Sequence, residues 1–193
     1  MAGRPREFDR DEMLAKARDA FWARGYEAVS MADLVEALGI ASARIYAAFG
    51  SKEELFREAI ALYEAGEGGF ADRALAEEKT IGAAVRRLLR DAVALYTKPG
   101  RPQGCMVVSA ATNIAADHDR IALWLAEHRR QRTAAIIERL RQGAAELPQG
   151  CDVAAHGDHF AALLHGLSVQ ARDGVPKERL LALIEISLKS LDP

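Results

Sequence analysis

Apolar residues along this chain recur at three- and four-residue spacing instead of alternating, which predicts helices throughout. The first should run from Asp9 or Arg10 to Arg24, with a stripe of Leu14, Ala17 and Phe21 flanked by Met13 and Ala20, and Gly25 stops it. Ser30 caps a second helix. Asp33 stands where a capping box places a carboxylate, near the positive end of the helix dipole. Leu34, Val35 and Leu38 form its buried side. Gly39-Ile40-Ala41 makes a turn, and a short third helix covers about Ser42 to Ala48. Ser51 caps a fourth, with Leu55, Phe56, Ala59, Ile60 and Tyr63 inward, which frays or bends at Gly66-Glu67-Gly68-Gly69.

A fifth helix spans about Thr80 to Thr97 on Ile81, Val85, Leu88, Leu89, Ala92 and Leu95. Lys98-Pro99-Gly100-Arg101-Pro102-Gln103-Gly104 breaks the pattern, and a short apolar segment runs from Cys105 to about Asn113. A long helix follows from about His118 to Glu146. The last two are about Asp152 to Arg172 and Pro176 to Leu191, Pro176 suiting a helix start because its missing N–H is harmless there. The expected fold is all-α with about nine helices. The chain divides into a three-helix unit with a basic arm, residues 1–51, and a larger helical unit, residues 52–193.

Composition narrows this picture more than it enlarges it. The chain has 193 residues, half of them hydrophobic, enough for a core without disulfides or a structural metal. Cys105 and Cys151 match no zinc or oxidoreductase spacing. The opening residues are polar and no run of about 18 apolar residues exists, so neither a signal peptide nor a membrane span is expected, and a cytoplasmic location is the default. Net charge is −2, and the first 60 residues carry nine Arg or Lys against eleven Asp or Glu. Summed charge therefore gives no support to a nucleic-acid partner. What decides is whether the basic residues share a face.

Residues 30–49 hold a single basic residue, Arg44, but on a pattern that predicts a face for it. A helix-turn-helix needs two short helices at a steep angle, a glycine turn, and a second helix whose outer side reaches base edges. Leu34, Leu38, Ile40, Ile45 and Phe49 can lock the pair, leaving Ser42, Ala43, Arg44, Ala47 and Ala48 outward. These side chains are small apart from Arg44, which suits bidentate contact with guanine; Ser42 serves a base or a phosphate. Tyr46 and Lys52 can bond phosphates, fixing register without reading sequence. Ser51 and the amides after it can hold another phosphate. Arg4 and Arg6 lie on a basic arm able to reach a minor groove.

These residues carry a resemblance. Phe21…Gly25-Tyr26, Ser30-Met31-Ala32-Asp33-Leu34, Gly39-Ile40, Ile45-Tyr46-Ala47-Ala48-Phe49 and Ser51-Lys52-Glu53-Glu54-Leu55 together resemble the DNA-binding domain of the tetracycline-repressor (TetR) family of one-component regulators. The resemblance implies double-stranded DNA as a partner, Tyr46 and Lys52 as phosphate contacts, and Ser42, Ala43 and Arg44 as the base-reading start of the recognition helix. Two departures stand out. Ala41 replaces the usual Ser or Thr cap, a loss of about 1 kcal/mol unless Ser42 takes over. Ala48 stands where a phosphate-binding histidine is common.

The same resemblance implies a homodimer joined through the last two helices as a four-helix bundle. Candidate interface residues are Leu163, Leu164, Leu167, Leu181, Ile184 and Leu188. It also implies an effector pocket among the fifth to eighth helices, for which Leu89, Val93, Tyr96, Cys105, Met106, Trp124, His128 and Phe160 are candidates. Taken singly, each of these reads more readily as plain core than as a pocket residue. The expected activity is repression of transcription, relieved by a small apolar or amphipathic molecule, with neither cofactor nor metal. The alternative is a DNA-binding regulator controlled by thiol oxidation or metal at Cys105, or one without a small-molecule ligand. No nucleophile elbow, Walker loop, dinucleotide fingerprint or zinc-protease motif points to an enzyme.

Overall fold

The computed structural model describes residues 9–110 and 119–191, and these form ten α-helices joined by turns and short 3₁₀ segments. The arm residues Arg4 and Arg6, residues 111–113 of the apolar segment and the expected helix start at His118 lie outside the described residues. Helix α1 (Arg10–Arg24) begins where the Asp9 carboxylate accepts from the amides of Asp11 and Glu12. Helix α2 (Met31–Leu38) carries the capping box read from the sequence: Ser30 accepts from the Asp33 amide, and the Asp33 carboxylate answers on the Ser30 amide. Arg24 and Ser30 hold that carboxyl well below the usual carboxylate range. Gly39 ends α2 at φ +69°, a left-handed turn that a side chain would strain.

Helix α3 (Ser42–Phe49) turns Ile45 and Phe49 inward. Helix α4 (Lys52–Ala65) opens with a second capping box, between Ser51 and Glu54. The bend expected near Gly66 is a 3₁₀ turn, after which the chain forms a separate helix, α5 (Phe70–Glu77). Helix α6 (Ile81–Tyr96) follows, then α7 (Met106–Ala110), α8 (Asp119–Gln142), α9 (Val153–Arg172) and α10 (Lys177–Leu188). Helix α8 stops four residues short of the expected end, because Gly143 leads into a 3₁₀ turn over Ala144–Glu146.

Two hydrophobic cores organise these helices. One joins α1 to α4 with the inner faces of α7 and the start of α8, and it is built on aromatics. Phe21 meets Phe56 edge-on at 5.1 Å, and Trp22 meets Tyr63 at 4.9 Å. The other joins α5, α6, α9 and α10 with the end of α8, and it is mostly Leu, Val, Ile and Ala. Leu55, Phe56, Ala59, Ile60 and Tyr63 of α4 all belong to the first core. Packing therefore does not change partners at the expected boundary of residue 51; α4 is the floor of the head. Arg10 pins the head from outside, bonding both Glu58 oxygens at 2.8 Å and lying 4.5 Å over the Phe49 ring.

Candidate functional site

The outer face of α3 carries Ser42, Ala43, Arg44, Tyr46 and Ala47, all exposed. Ile45 and Phe49 are locked into the head core, so the helix cannot roll to hide this face. Ala41 is the N-cap, with no side-chain hydrogen bond. Ser42 does not take over the cap, which leaves its hydroxyl outward. Arg44 has no side-chain hydrogen bond or ion pair among the described residues. Tyr46 is 48% exposed, a large apolar ring held in water with its hydroxyl at the edge of the same face. A slim helix with one free guanidinium and one phenol fits a groove and has little else to offer.

Two other expected contacts behave differently. The Ser51 hydroxyl oxygen accepts from the Glu54 amide, and the Glu54 carboxylate takes the Ser51 amide at 2.8 Å. An acid thus sits where a phosphate was expected, and Ser51 is a structural cap. The Lys52 ammonium lies 4.2 Å over the Tyr26 ring, and burial lowers its pKa. It is a cation tied to the head beside α3.

A second feature lies beneath the head, where α4, α5, α6, α7, α8 and α9 converge. They line a partly open cavity of about 50 Å³, space for a few waters or a very small molecule. Tyr96, Cys105 and His128 of the sequence-derived candidates line it, with Tyr63, Arg129 and His165, which sequence reasoning missed. Leu89, Val93, Met106 and Phe160 are instead packed wholly inside the cores. Their helical spacing made them inward-facing, but inward here means against other side chains. Trp124 serves the head core, 6.1 Å from Phe56 and 4.4 Å from His128, with Arg57 over its ring at 4.6 Å.

The cavity is polar at specific points. The Tyr63 hydroxyl lies 3.6 Å from the Cys105 sulfur, and burial raises the Tyr63 and Tyr96 phenols well above their ordinary range. His128 Nδ1 faces the Glu64 carboxylate at 3.0 Å. Burial, then Arg129, lowers the His165 pKa, so that ring is neutral near pH 7. Nη1 of Arg129 is sealed from solvent and has no hydrogen-bond partner. A buried donor left in this condition costs about 1–3 kcal/mol.

The wall of the cavity is joined to the head by a short set of bonds. Trp22 Nε1 donates to the Gly104 carbonyl at 2.9 Å in a buried hydrogen bond. The next amide, of Cys105, donates to the buried Ser168 hydroxyl of α9 at 2.8 Å. Arg172, at the end of α9, reaches the carbonyls of Trp22, Ala23 and Gln103 at 3.2–3.5 Å. Gly104 has φ +78°, and a Cβ there would lie 2.8 Å from the Ser168 carbonyl oxygen. The close approach of this segment to α9 therefore requires glycine.

On α9 and α10, Leu164, Leu167, Ile184 and Leu188 are buried within the chain's own core. They were expected to face a partner, and that expectation is corrected: at 5% exposure or less they have no surface to share. The apolar residues left outward are Val169, Leu183 and Ile186, with Leu163 and Leu181 half-buried beside them.

A helical head with an exposed short helix after a glycine turn, set on a helical body, is the architecture of a helix-turn-helix transcriptional regulator. The family model for bacterial regulatory proteins of the tetR family matches residues 13–59. Over 190 residues the chain is 33% identical to the HTH-type transcriptional repressor ComR of Escherichia coli (strain K12), covering 97% of this chain and 90% of that protein. It is 30% identical over 181 residues to the HTH-type transcriptional repressor BdcR of the same organism, covering 93% and 87%. A structure of the TetR family transcriptional regulator CifR, a cysteine mutant complexed with 26-bp double-strand operator DNA, superposes with a TM-score of 0.92 at 42% identity, covering 98% of this chain and all of that one. The chain belongs to the TetR family of bacterial transcriptional regulators.

Proposed function

We propose that this protein is a homodimeric repressor that binds a palindromic operator through α3 and releases it when a small molecule occupies the cavity. The observation that carries the DNA role is the near-complete likeness to CifR in its operator complex, together with the exposed, small-sided face around Arg44. Arg44 reads a base edge, most favourably guanine; Tyr46 and Lys52 fix the backbone register, and Arg4 and Arg6 follow the adjacent minor groove. Double-stranded DNA containing two half-sites one helical turn apart is the partner.

Dimerisation supports that spacing. His159, Ala162, Leu163, Gly166, Val169 and Gln170 fall on one side of α9, and Arg179, Ala182, Leu183, Ile186 and Ser190 on one side of α10 and its continuation. Two copies meeting on these faces bury Leu183 and Ile186 in a four-helix bundle. The release step uses the bonded segment above the cavity. A molecule seated against Cys105, Val107 and Val108 displaces the strip that holds Trp22 and Arg172, and the head moves with it. Such a ligand must bind the released arrangement more tightly than the DNA-bound one.

A gel shift on the DNA flanking the protein's own gene, run as a salt series, tests the reading. Palindrome-dependent retardation is expected, and its absence would sink the proposal. A second reading, thiol control through Cys105, is favoured by the position of that sulfur on the cavity wall beside the Tyr63 hydroxyl. If peroxide releases the Cys105→Ser variant from DNA as readily as the parent, that reading fails.

A further inference from the structure

Two guanidinium groups line the cavity; Asp72 answers Arg132, and no group among the described residues answers Arg129. Arg129 makes no side-chain hydrogen bond or ion pair among the described residues, and its Nη1 is sealed from water without a partner. Four other arginines of α8 are engaged: Arg130 with Glu127, Arg132 with Asp72, Arg139 with the Leu75 and Glu78 carbonyls, and Arg141 with Glu138. Helix α8 therefore has the means to satisfy guanidinium groups, and at the cavity it leaves one open.

The other groups facing the space do not supply the missing charge. Glu64 is committed to His128 at 3.0 Å. His165 offers a neutral ring, and the buried phenols of Tyr63 and Tyr96 keep their protons. The rest of the wall is Phe70, Ala71, Val107, Val108 and Leu164, with Gly68, the Cys105 thiol and Arg132, whose charge is taken by Asp72. A buried unsatisfied polar group in a native fold calls for an occupant, and a guanidinium beside hydrocarbon calls for one with two unlike ends.

We propose that the cavity takes a small organic monoanion, a carboxylate on a short apolar body, whose oxygen accepts from Nη1 of Arg129. This deepens the reading of the cavity as the effector site and rests on it. The occupant carries a single negative charge because a second would meet Glu64. Its body is short because the cavity is about 50 Å³. The expected chemistry of the effector shifts accordingly, from apolar or amphipathic to acidic.

The test uses the full-length protein with acetate, butyrate and benzoate, and with benzyl alcohol as a neutral analogue. At least one carboxylate should raise the melting temperature of the parent and bind in calorimetry. Arg129→Met should fold with an unliganded melting temperature no lower than the parent's, because it removes an unanswered charge. It should bind that carboxylate at least tenfold more weakly. Benzyl alcohol should not discriminate between the two proteins. The proposal is overturned if no carboxylate protects the parent, if Arg129→Met is protected equally, or if chloride and phosphate protect as well as the carboxylates. Operator retention in the same samples separates the two layers. Carboxylate binding through Arg129 without release of DNA keeps this inference and removes the release role. Release by benzyl alcohol with no effect of any carboxylate does the reverse.

Discussion

Arg44 on the head and Arg129 in the cavity are both guanidinium groups without a partner among the described residues, and they differ in what surrounds them. Arg44 stands in water, where being unpaired costs nothing, and it is free to be spent on a ligand the size of a DNA groove. Arg129 stands where water is scarce, so its freedom has a price even before anything binds. An unpaired charge thus means availability at a surface and unfinished business in an interior. The segment between them, from Gly104 to Cys105, is where the two regions meet.

The largest expected effect comes from breaking that meeting point. Gly104→Ala combines a left-handed backbone with a Cβ placed against the Ser168 carbonyl and should cost about 2–4 kcal/mol. Urea denaturation followed by circular dichroism measures it; a loss under about 1 kcal/mol would show that the segment relaxes freely. Arg44→Ala comes next. It should leave stability unchanged and weaken operator binding by about 1–3 kcal/mol, or roughly 5- to 150-fold, while leaving non-specific DNA nearly unaffected. Anisotropy titrations on both DNAs decide this, since a uniform loss would move Arg44 from base to phosphate. Tyr46→Phe removes only a hydroxyl and should weaken binding to operator and random DNA alike by about 1 kcal/mol. Ala41→Ser, the smallest change, restores the missing cap of α3 and should stabilise the protein by about 0.5–1 kcal/mol, raising its melting temperature by about 1–4 °C.

The head was legible in the sequence because its determinants are local. Ser30 with Asp33, Gly39, and Ser51 with Glu54 act within a few residues of themselves, so their spacing carries the geometry. Ser51 shows the limit of the same reasoning. A helix start can serve a phosphate or its own carboxylate, and Glu54 chose the second. The cavity was poorly legible because six helices build it, and periodicity tells only which side of each faces inward. Leu89 and Phe160 face inward and meet other side chains; Tyr96 faces inward and meets space. The dimer face failed for the related reason that Leu164, Leu167, Ile184 and Leu188 form the stronger stripe, and the stronger stripe went to the chain's own core. One signal was present and unread. Ile121, Leu125, Ile136 and Leu140 mark the buried side of α8, and that register passes through Arg129 and Arg132. A charge on an apolar stripe is a reason to look for its partner.

Arg172 grips α1 only through main-chain carbonyls, those of Trp22 and Ala23, and it reaches Gln103 in the same way. A clasp of this kind is blind to the side chains it holds. The outer residues of α3 can be rewritten without touching this clasp, whereas on α1 Asp19 and Arg18 must stay, because they pair with Arg101 and Glu67 at 3.1 and 3.2 Å. A related head that keeps Trp22 and Asp19 at this joint should therefore dock on the same body whatever side chains its α3 displays.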